Sequence, residues 1–490
     1  MRSCGVLMHI TSLPSPYGIG TFGAEAEAFV DWLKENGQKY WQVLPLGPTG
    51  YGDSPYQSFS TFAGNPLLID LDDLVENGML TKEQCAEADY GADPSFVDYE
   101  KVYRTKTKLL EEAFTHFEEN EIAYVSFIKD EAWWLDNYAL YMAIKENNGQ
   151  APWQSWDADL KMRKAEALQK EGDKLHDRVA FYKFVQYTFY RQWQQLKRYA
   201  NRNDVKIIGD IPIYVAMDSA DVWANKELFL LDKEGNPTDV AGVPPDYFSK
   251  TGQLWGNPLY NWDKMKADRY SWWIKRIGKS MEMYDLLRID HFRAFDTYYA
   301  IPYGETTAIN GKWMVGPGMD LFNEVKAQLG SANIIAEDLG EIFDSVKELL
   351  KASGFPGMRV LQFGFNPNNE DSDHLPHRYP PNCAAYTGTH DNSTIMQWLR
   401  EADRDSAKMA KRYVHPNFFE KFNWAAIRTI YMSSAGLVIV PMQDILGLGG
   451  AARMNIPSTV GGNWKWRMKK GANSAKIGAK LKDLAETYFR

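Results

Sequence analysis

The chain has 490 residues, of which 44% are hydrophobic and 24% are charged, and this composition excludes disordered, collagen-like and fibrous proteins. Its net charge of -9 and the lack of a basic run argue against a nucleic-acid-binding surface. No apolar stretch approaches the roughly 18 residues that a membrane helix needs, so we expect no membrane partner.

Short apolar runs alternate along the chain with segments of helical periodicity. The predicted strands, in chain order, are Gly5–Leu13, Tyr40–Leu46, Val205–Val215, Asp285–Asp290, Asn333–Leu339, Met358–Phe365, Ala384–His390 and Leu437–Asp444. The predicted helices are Ala24–Gly37, Arg178–Ala200, Tyr270–Tyr284, Met319–Leu329, Ile342–Ser353, Thr394–Ala402 and Ala425–Ser433. Eight strands is the number that closes a (β/α)8 (TIM) barrel, so the pattern predicts the α/β class and one catalytic barrel over residues 1–490.

Two gaps between the predicted strands are too long for plain connections. Residues 61–175, after the second strand, have a mostly helical pattern and predict a helical insertion. Residues 216–262, after the third strand, are rich in Gly, Pro and Asp, which predicts a rigid loop insertion that carries aromatic residues. Too few residues follow the eighth strand for a C-terminal β-sandwich domain, so we expect none.

Four predicted strands lead into a carboxylate, namely Asp210, Asp290, Glu337 and Asp391. Strand ends and the loops after them form the catalytic face of a barrel, so these groups are expected on one rim. Such a rim suits metal-assisted enolisation or glycosyl transfer by two carboxyl groups. No predicted strand ends in a lysine, which weakens the enolisation hypothesis.

The local context of each carboxylate suits glycosyl transfer. Arg288 lies two residues before Asp290, on the same strand face, where a guanidinium would keep a nucleophilic carboxylate ionised. The apolar Ile-Ile-Ala before Glu337 predicts a raised pKa and a general acid. Asp391 is expected to contact sugar hydroxyls and, by like charge, to help keep Glu337 protonated.

Longer motifs make the pattern specific. They are YGDSPYQSFSTFAGNPLLIDL (51–71), IIGDIPIYV (207–215), GVPPDYFSKTGQLWGNPLYNW (242–262), RIDHFRAF (288–295), AEDLG (336–340), TGTHDNST (387–394) and GGNWKWR (461–467). In this order they resemble the signatures of the 4-α-glucanotransferases, the amylomaltase or disproportionating-enzyme family of the α-amylase clan. The resemblance covers essentially the whole chain.

The resemblance implies a role for each matching residue. Asp290 would be the nucleophile with Arg288 as its partner, Glu337 the acid/base and Asp391 the transition-state stabiliser. The residues implied to bind or support the substrate are His390, Asp210, Tyr56, Tyr247, Phe248 and Trp255. The last three lie in the loop insertion at 216–262, which the resemblance implies to cover the bound substrate. His291, beside the nucleophile, is a further candidate for bonding substrate hydroxyls.

The resulting hypothesis is a retaining transferase that moves α-1,4-glucan segments from a donor to the 4-hydroxyl of an acceptor glucan or glucose. The alternatives are an α-1,4-glucan hydrolase and a non-catalytic glucan-binding protein. We expect α-1,4-glucans and maltooligosaccharides as partners, no cofactor and no metal, while the oligomeric state stays open. Three cysteines without CxxC spacing indicate a reducing compartment, the cytoplasm, or a plastid for a plant source, with no transit peptide in this chain.

Overall fold

The computed structural model describes residues 2–50, 52–245, 249–340 and 342–490. The strands in this part of the chain are β1 Ser3–Leu7, β2 Tyr40–Gln42, β3 Lys206–Pro212, β4 Asp239–Val243, β5 Gln253–Pro258, β6 Leu286–Asp290, β7 Thr297–Pro302, β8 Lys312–Val315, β9 Ile334–Ala336, β10 Gly357–Val360, β11 Cys383–Tyr386 and β12 Leu437–Pro441. The α-helices are α1 Ala24–Glu35, α2 Leu71–Glu76, α3 Lys82–Glu87, α4 Tyr99–Thr115, α5 Ile122–Asp130, α6 Ala132–Asn147, α7 Ala158–Lys161, α8 Ala165–Lys174, α9 His176–Arg202, α10 Ala220–Ala224, α11 Trp262–Ala267, α12 Ser271–Met283, α13 Met319–Leu329, α14 Asp344–Ser353, α15 Leu361–Gly364, α16 Ile395–Glu401, α17 Arg404–Val414, α18 Phe422–Tyr431, α19 Met442–Leu446 and α20 Ala475–Thr487.

Eight parallel strands form a closed barrel in the order β1-β12-β11-β10-β9-β6-β3-β2. All eight correspond to the predicted runs, so the predicted (β/α)8 barrel is confirmed. The barrel closes where β1 pairs with β12, with Gly5 opposite Ile439. Between β3 and β6 the register places Asp210 opposite Arg288, so pairing alone makes these two charged residues neighbours.

Several barrel strands are shorter than predicted. The run predicted as Gly5–Leu13 ends its strand at Leu7, and residues Ile10–Ser12 form a turn of 3-10 helix. The run predicted as Met358–Phe365 ends at Val360 and continues as α15. Most residues past these two strand ends are still buried, with Phe363 exposed, so the hydrophobic run continues after the strand geometry has stopped.

Between β2 and β3 the described chain is largely helical, from α2 to α9. Its longest helix, α9, buries a dense set of aromatic side chains, and Trp193 is fully buried there. Trp41, Trp153, Trp223 and Trp273 are also among the largest fully buried side chains. Much of the aromatic excess is therefore core packing.

A second, four-stranded antiparallel sheet has the order β5-β4-β7-β8. It departs from the prediction, because residues 216–262 were expected to form a loop and contain β4 and β5. Gly252, with φ of +69°, ends the turn of residues 249–252 that leads into β5, and its amide donates to the Ser249 carbonyl at 3.1 Å. Short runs broken by Gly and Pro carry little strand signal, and β4 is stabilised by pairing with β7, which lies beyond the barrel strand β6.

The Arg490 side chain lies at the opposite end of the barrel, where β1 and β12 begin. The Arg490 guanidinium donates hydrogen bonds to the carbonyl oxygens of Tyr431 at 2.7 Å and of Ser433 and Ala435 at 2.9 Å each. These carbonyls belong to the end of α18 and the turn before β12. In the described residues, no helix is long and apolar enough to cross a membrane.

Candidate active site

Arg288 joins two of the predicted carboxylates at the mouth of the barrel. Its NH1 lies 2.8 Å from both carboxylate oxygens of Asp210, and its NH2 lies 3.0 Å from Oδ1 of Asp290. Arg288 and Asp210 are 3% and 1% exposed, whereas the Asp290 side chain keeps 29% exposure and is open to a ligand. The guanidinium therefore orients Asp290 from below while Asp210 fixes the guanidinium.

Burial sets the proton affinities of this pair. It raises the pKa of Asp210 to about 6, although the neighbouring Arg288 opposes the rise. Burial acts against the charge of Arg288, but the carboxylates of Asp210 and Asp290 outweigh it and raise the pKa of Arg288 well above its ordinary value. The guanidinium stays charged at any pH at which the protein is folded.

Glu337 follows β9 and is held against the residue after Asp290. Its Oε2 accepts a hydrogen bond from the His291 amide at 2.7 Å, and its Oε1 accepts one from the Leu339 amide at 2.9 Å. His291 has φ of +54°, a left-handed conformation that a non-glycine residue seldom adopts. This bend at the end of β6 directs the backbone toward Glu337 and brings the two predicted reacting carboxyl groups close together.

Glu337 is 8% exposed, and burial is the main cause that raises its pKa to about 8. The charge of Asp290 raises the pKa further, while Arg288 and the two amide donors oppose it. The predicted apolar environment of Glu337 thus has the expected effect. The main negative charge that raises the pKa of Glu337 is that of Asp290, and not that of Asp391 as predicted from the sequence.

Tyr56 bridges the two sides of the rim. Its hydroxyl donates to Oδ2 of Asp210 at 2.9 Å and lies 3.4 Å from Nδ1 of His390. The Tyr56 and His390 rings stack with centroids 5.0 Å apart. Burial raises the pKa of Tyr56, and the charges of Asp210, Asp290 and Asp391 raise it further, so three predicted carboxylates surround one phenol.

Asp391 follows β11 and is the most open of the predicted carboxylates, with a side-chain exposure of 43%. Its Oδ1 lies 3.4 Å from Nε2 of His390 and accepts a hydrogen bond from Asn455 at 2.6 Å. Arg453 donates to the Asp391 carbonyl oxygen at 2.7 Å. Asn455 and Arg453 therefore set the position of Asp391. Neither residue was predicted from the sequence.

Two aromatic residues complete the described rim. Trp255 on β5 meets the His291 ring edge to face, with centroids 4.9 Å apart. Burial and the nearby Arg293 lower the pKa of His291 to about 3, so its imidazole is neutral at physiological pH. The ring centroid of Trp464, in the GGNWKWR motif, lies 5.8 Å from the ring centroids of both Tyr56 and His390. The predicted binding residues Tyr247 and Phe248 lie outside the described residues.

Asn455 gave no signal in the sequence because it lies in RMNIP (453–457), a segment far along the chain from Asp391. Only the neighbouring GGNWKWR motif indicated that this region belongs near the rim.

No group of three or more His, Cys, Asp or Glu side chains suited to a metal ion occurs in the part of the chain that the structure describes.

Comparisons with known proteins show the family of the chain. The sequence profile of the family described as 4-alpha-glucanotransferase matches residues 8–473. The chain is 50% identical to a 4-alpha-glucanotransferase of Streptococcus pneumoniae, over 100% of this chain and 97% of the relative. It is 48% identical to a 4-alpha-glucanotransferase of Clostridium butyricum, over 99% of this chain and 100% of the relative.

Among solved structures, an amylomaltase from Streptococcus agalactiae in complex with acarbose is 44% identical and superimposes with a TM-score of 0.98, covering 100% of both chains. An amylomaltase from Corynebacterium glutamicum is 18% identical with a TM-score of 0.81, over 99% of this chain and 75% of the other, and it supports the fold alone.

Proposed function

Because the chain belongs to the 4-alpha-glucanotransferase family, we propose that Asp290, Glu337 and Asp391 are the carboxyl groups that carry out its reaction. The activity itself is transfer of α-1,4-glucan segments from one sugar chain to another. The observation that carries the assignment is the hydrogen bond from the His291 amide to Glu337, since it fixes the Glu337 carboxyl group beside the residue that follows Asp290. Retaining glycosidases need this proximity, with carboxyl groups about 5 Å apart.

The first half of the reaction forms a glucosyl-enzyme. A carboxylate oxygen of Asp290 attacks the anomeric carbon of the donor, and a carbon–oxygen ester bond forms as the glycosidic bond breaks. Glu337 gives its proton to the departing 4-oxygen, so the leaving glucan departs as a neutral alcohol. The raised pKa of Glu337 supports this role because the group still carries its proton at neutral pH.

The second half reverses these roles. The 4-hydroxyl of an acceptor glucan or glucose attacks the anomeric carbon and gives its proton to the Glu337 carboxylate, while the bond to Asp290 breaks. Two inversions restore the α linkage. The ionised Asp290 and the protonated Glu337 are regenerated, so no cofactor enters the balance.

The surrounding residues position the sugar ring. Arg288 and Asp210 hold the nucleophile in place, and Asp391 with His390 would accept and donate hydrogen bonds to ring hydroxyls as charge develops at the anomeric carbon. Tyr56 offers an apolar ring face. The neutral His291 is suited to hydrogen bonding rather than to charge stabilisation.

Transfer instead of hydrolysis requires that an acceptor sugar outcompete water. We assign that task to the insertion at residues 216–262, in which Trp255, Tyr247 and Phe248 would cover the bound glucan. This insertion and the helical insertion at residues 61–175 would both belong to a single catalytic barrel. A bound acceptor has a high effective concentration, which favours transfer. The preferred small donors and acceptors under this proposal are maltooligosaccharides.

The assignment is tested with maltotriose as the only substrate. We expect glucose together with longer oligomers, and we expect Asp290→Asn to lower turnover by several orders of magnitude without unfolding the protein. Asp483→Asn, a change of an exposed carboxylate on the last helix, α20, is the matched control. If only shortened products accumulate, the chain is a hydrolase, and full activity of Asp290→Asn removes the nucleophile from the proposal.

We also propose a cytoplasmic location. The three cysteines, Cys4, Cys85 and Cys383, are all free and buried, as is usual for proteins of a reducing compartment. Cell fractionation tests this directly, because recovery of the enzyme mainly from the extracellular medium contradicts it.

A further inference from the structure

A second cleft opens beside the catalytic rim, between the helical insertion and the outer helices of the barrel. Its volume is about 190 Å³, less than the roughly 300–1,000 Å³ of sites that enclose a whole small ligand, so it would hold only part of a longer molecule. It is lined from α6 by Trp133 and Asn137, from the segment after α10 by Asn225 and Glu227, and from α12 by Trp272 and Lys275.

The cleft lies on the same face of the molecule as the active site. Helix α12 leads into β6, so it runs against the strand and begins at the catalytic end of the barrel. Ser60 and Phe62, which also line the cleft, belong to the loop after β2 that carries Tyr56. In the described chain no lining residue forms a hydrogen bond or an ion pair with Asp290, Glu337 or Asp391, so the cleft is separate from the reacting groups.

Aromatic surface in this cleft is both exposed and fixed in place. Trp133 is 38% exposed, although tryptophan is usually well buried. Phe62 contacts it edge to face with ring centroids 4.7 Å apart, and the Lys275 ammonium lies 5.2 Å from its ring centroid. This arrangement presents a rigid indole next to a movable cation at the cleft opening.

Polar groups in the cleft lack partners. Trp272 is 6% exposed, and its indole N–H is buried without a hydrogen-bond acceptor in the described structure. Asn225 donates to the Asp221 carbonyl at 2.9 Å, and Asn137 accepts from Arg163 at 2.6 Å. Among the described residues, the Asn225 side-chain oxygen and the Asn137 amide group keep unused hydrogen-bonding capacity. These two half-buried amide groups can therefore exchange hydrogen bonds with a polar ligand in the cleft.

We propose that this cleft is a non-catalytic binding site for a segment of α-1,4-glucan. Sugar rings combine apolar C–H faces with closely spaced hydroxyls, and they match an indole flanked by amides, a carboxylate and an ammonium. The identity of the ligand rests on the proposed function, whereas the existence of a polar and aromatic site does not. A site on the catalytic face would retain a polymeric donor without contacting the short sugars that fill the active site.

The test uses retardation in amylose-containing gels, with Asp290→Asn as a background that does not degrade the matrix. We expect Trp133→Ala in this background to weaken amylose retention about three- to tenfold, the loss expected for one aromatic stacking contact. Phe418→Ala is the matched control, since it removes a 93% exposed aromatic ring that does not line the cleft. Unchanged retention of Trp133→Ala refutes the proposal.

A second variant covers the case in which Trp133→Ala perturbs folding. Glu227→Ala combined with Lys275→Ala changes only exposed side chains and should also weaken retention. In the active enzyme, the cleft variants should raise KM for amylose while leaving kcat and maltotriose disproportionation unchanged. If wild-type enzyme fails to disproportionate maltotriose, the proposed function fails, while the gel result still decides whether the cleft binds glucan.

Discussion

Replacing Glu337 by Gln should change the stability of the protein in a strongly pH-dependent way. In the folded state burial and Asp290 raise the pKa of Glu337 to about 8, whereas an unfolded chain has the ordinary value of 4.5. Below pH 4.5 the group is protonated in both states and costs nothing. As the pH rises toward 8, the unfolded state ionises freely while the folded state does not, so the wild type loses stability over this interval.

The size of the effect follows from the two pKa values. A tenfold change in proton affinity corresponds to about 1.4 kcal/mol, so at pH 9 burial of Glu337 costs the wild type on the order of 5 kcal/mol. Gln avoids this cost, but its side-chain NH2 cannot accept one of the two amide hydrogen bonds from His291 and Leu339, a loss of about 1–3 kcal/mol. The variant should therefore be less stable than wild type at pH 5 and more stable at pH 9.

The assay is urea unfolding of both proteins at pH 5, 7 and 9. Between the extremes, the difference in free energy of unfolding should move by about 4 kcal/mol in favour of the variant. Glu118→Gln, a change of an exposed carboxyl group, should show no such trend. A stability difference that is constant from pH 5 to pH 9 refutes the raised proton affinity of Glu337 and, with it, the reason for choosing Glu337 as the acid.

Three further outcomes are expected. Because the acid must be protonated, kcat/KM should fall about tenfold for each unit above pH 8, and a profile that starts to fall near pH 5 would contradict this assignment. Asn455→Ala should lower kcat about 10- to 100-fold with little change in stability, because it removes the hydrogen bond that fixes the Asp391 carboxylate. An unchanged kcat would show that the 2.6 Å hydrogen bond between Asn455 and Asp391 is not needed for catalysis. Arg490→Ala leaves the Ala435 carbonyl without its charged donor, whereas Arg2 still donates to the carbonyls of Tyr431 and Ser433, so the unfolding free energy should drop by about 1–3 kcal/mol while activity at 25 °C persists. Equal denaturation midpoints would contradict this role of Arg490.

The barrel and its rim were predictable from sequence because their signals are local. Each parallel strand is a short apolar run, and each functional carboxylate lies within a few residues of the run that positions it. Arg288 and Asp290 were paired correctly because residues two apart on a strand share a face, and the ion pair follows from that spacing.

The rest of the architecture depends on contacts between distant segments. Strand β4 pairs with β7, on the far side of a complete barrel strand, and no property of residues 239–243 announces that partner. The same holds for Asn455, whose contact with Asp391 spans 64 residues. From the sequence, Asp391 was expected to supply the negative charge that keeps Glu337 protonated, because both are rim residues. The left-handed bend at His291 brings Asp290 closer instead, and a backbone angle of this kind has no sequence signature at a histidine.

In the proposed mechanism Asp290 forms a covalent bond with the donor sugar and Glu337 protonates the leaving group. The most direct test incubates Glu337→Gln with α-maltotriosyl fluoride, whose fluoride leaves without help from an acid, and maps the labelled peptide by mass spectrometry. We predict a maltotriosyl ester on the peptide that contains Asp290, and its disappearance when a glucan acceptor is added. A label on Asp391 or Asp210, or rapid turnover of the fluoride by Asp290→Asn, would contradict the role of Asp290 as the nucleophile.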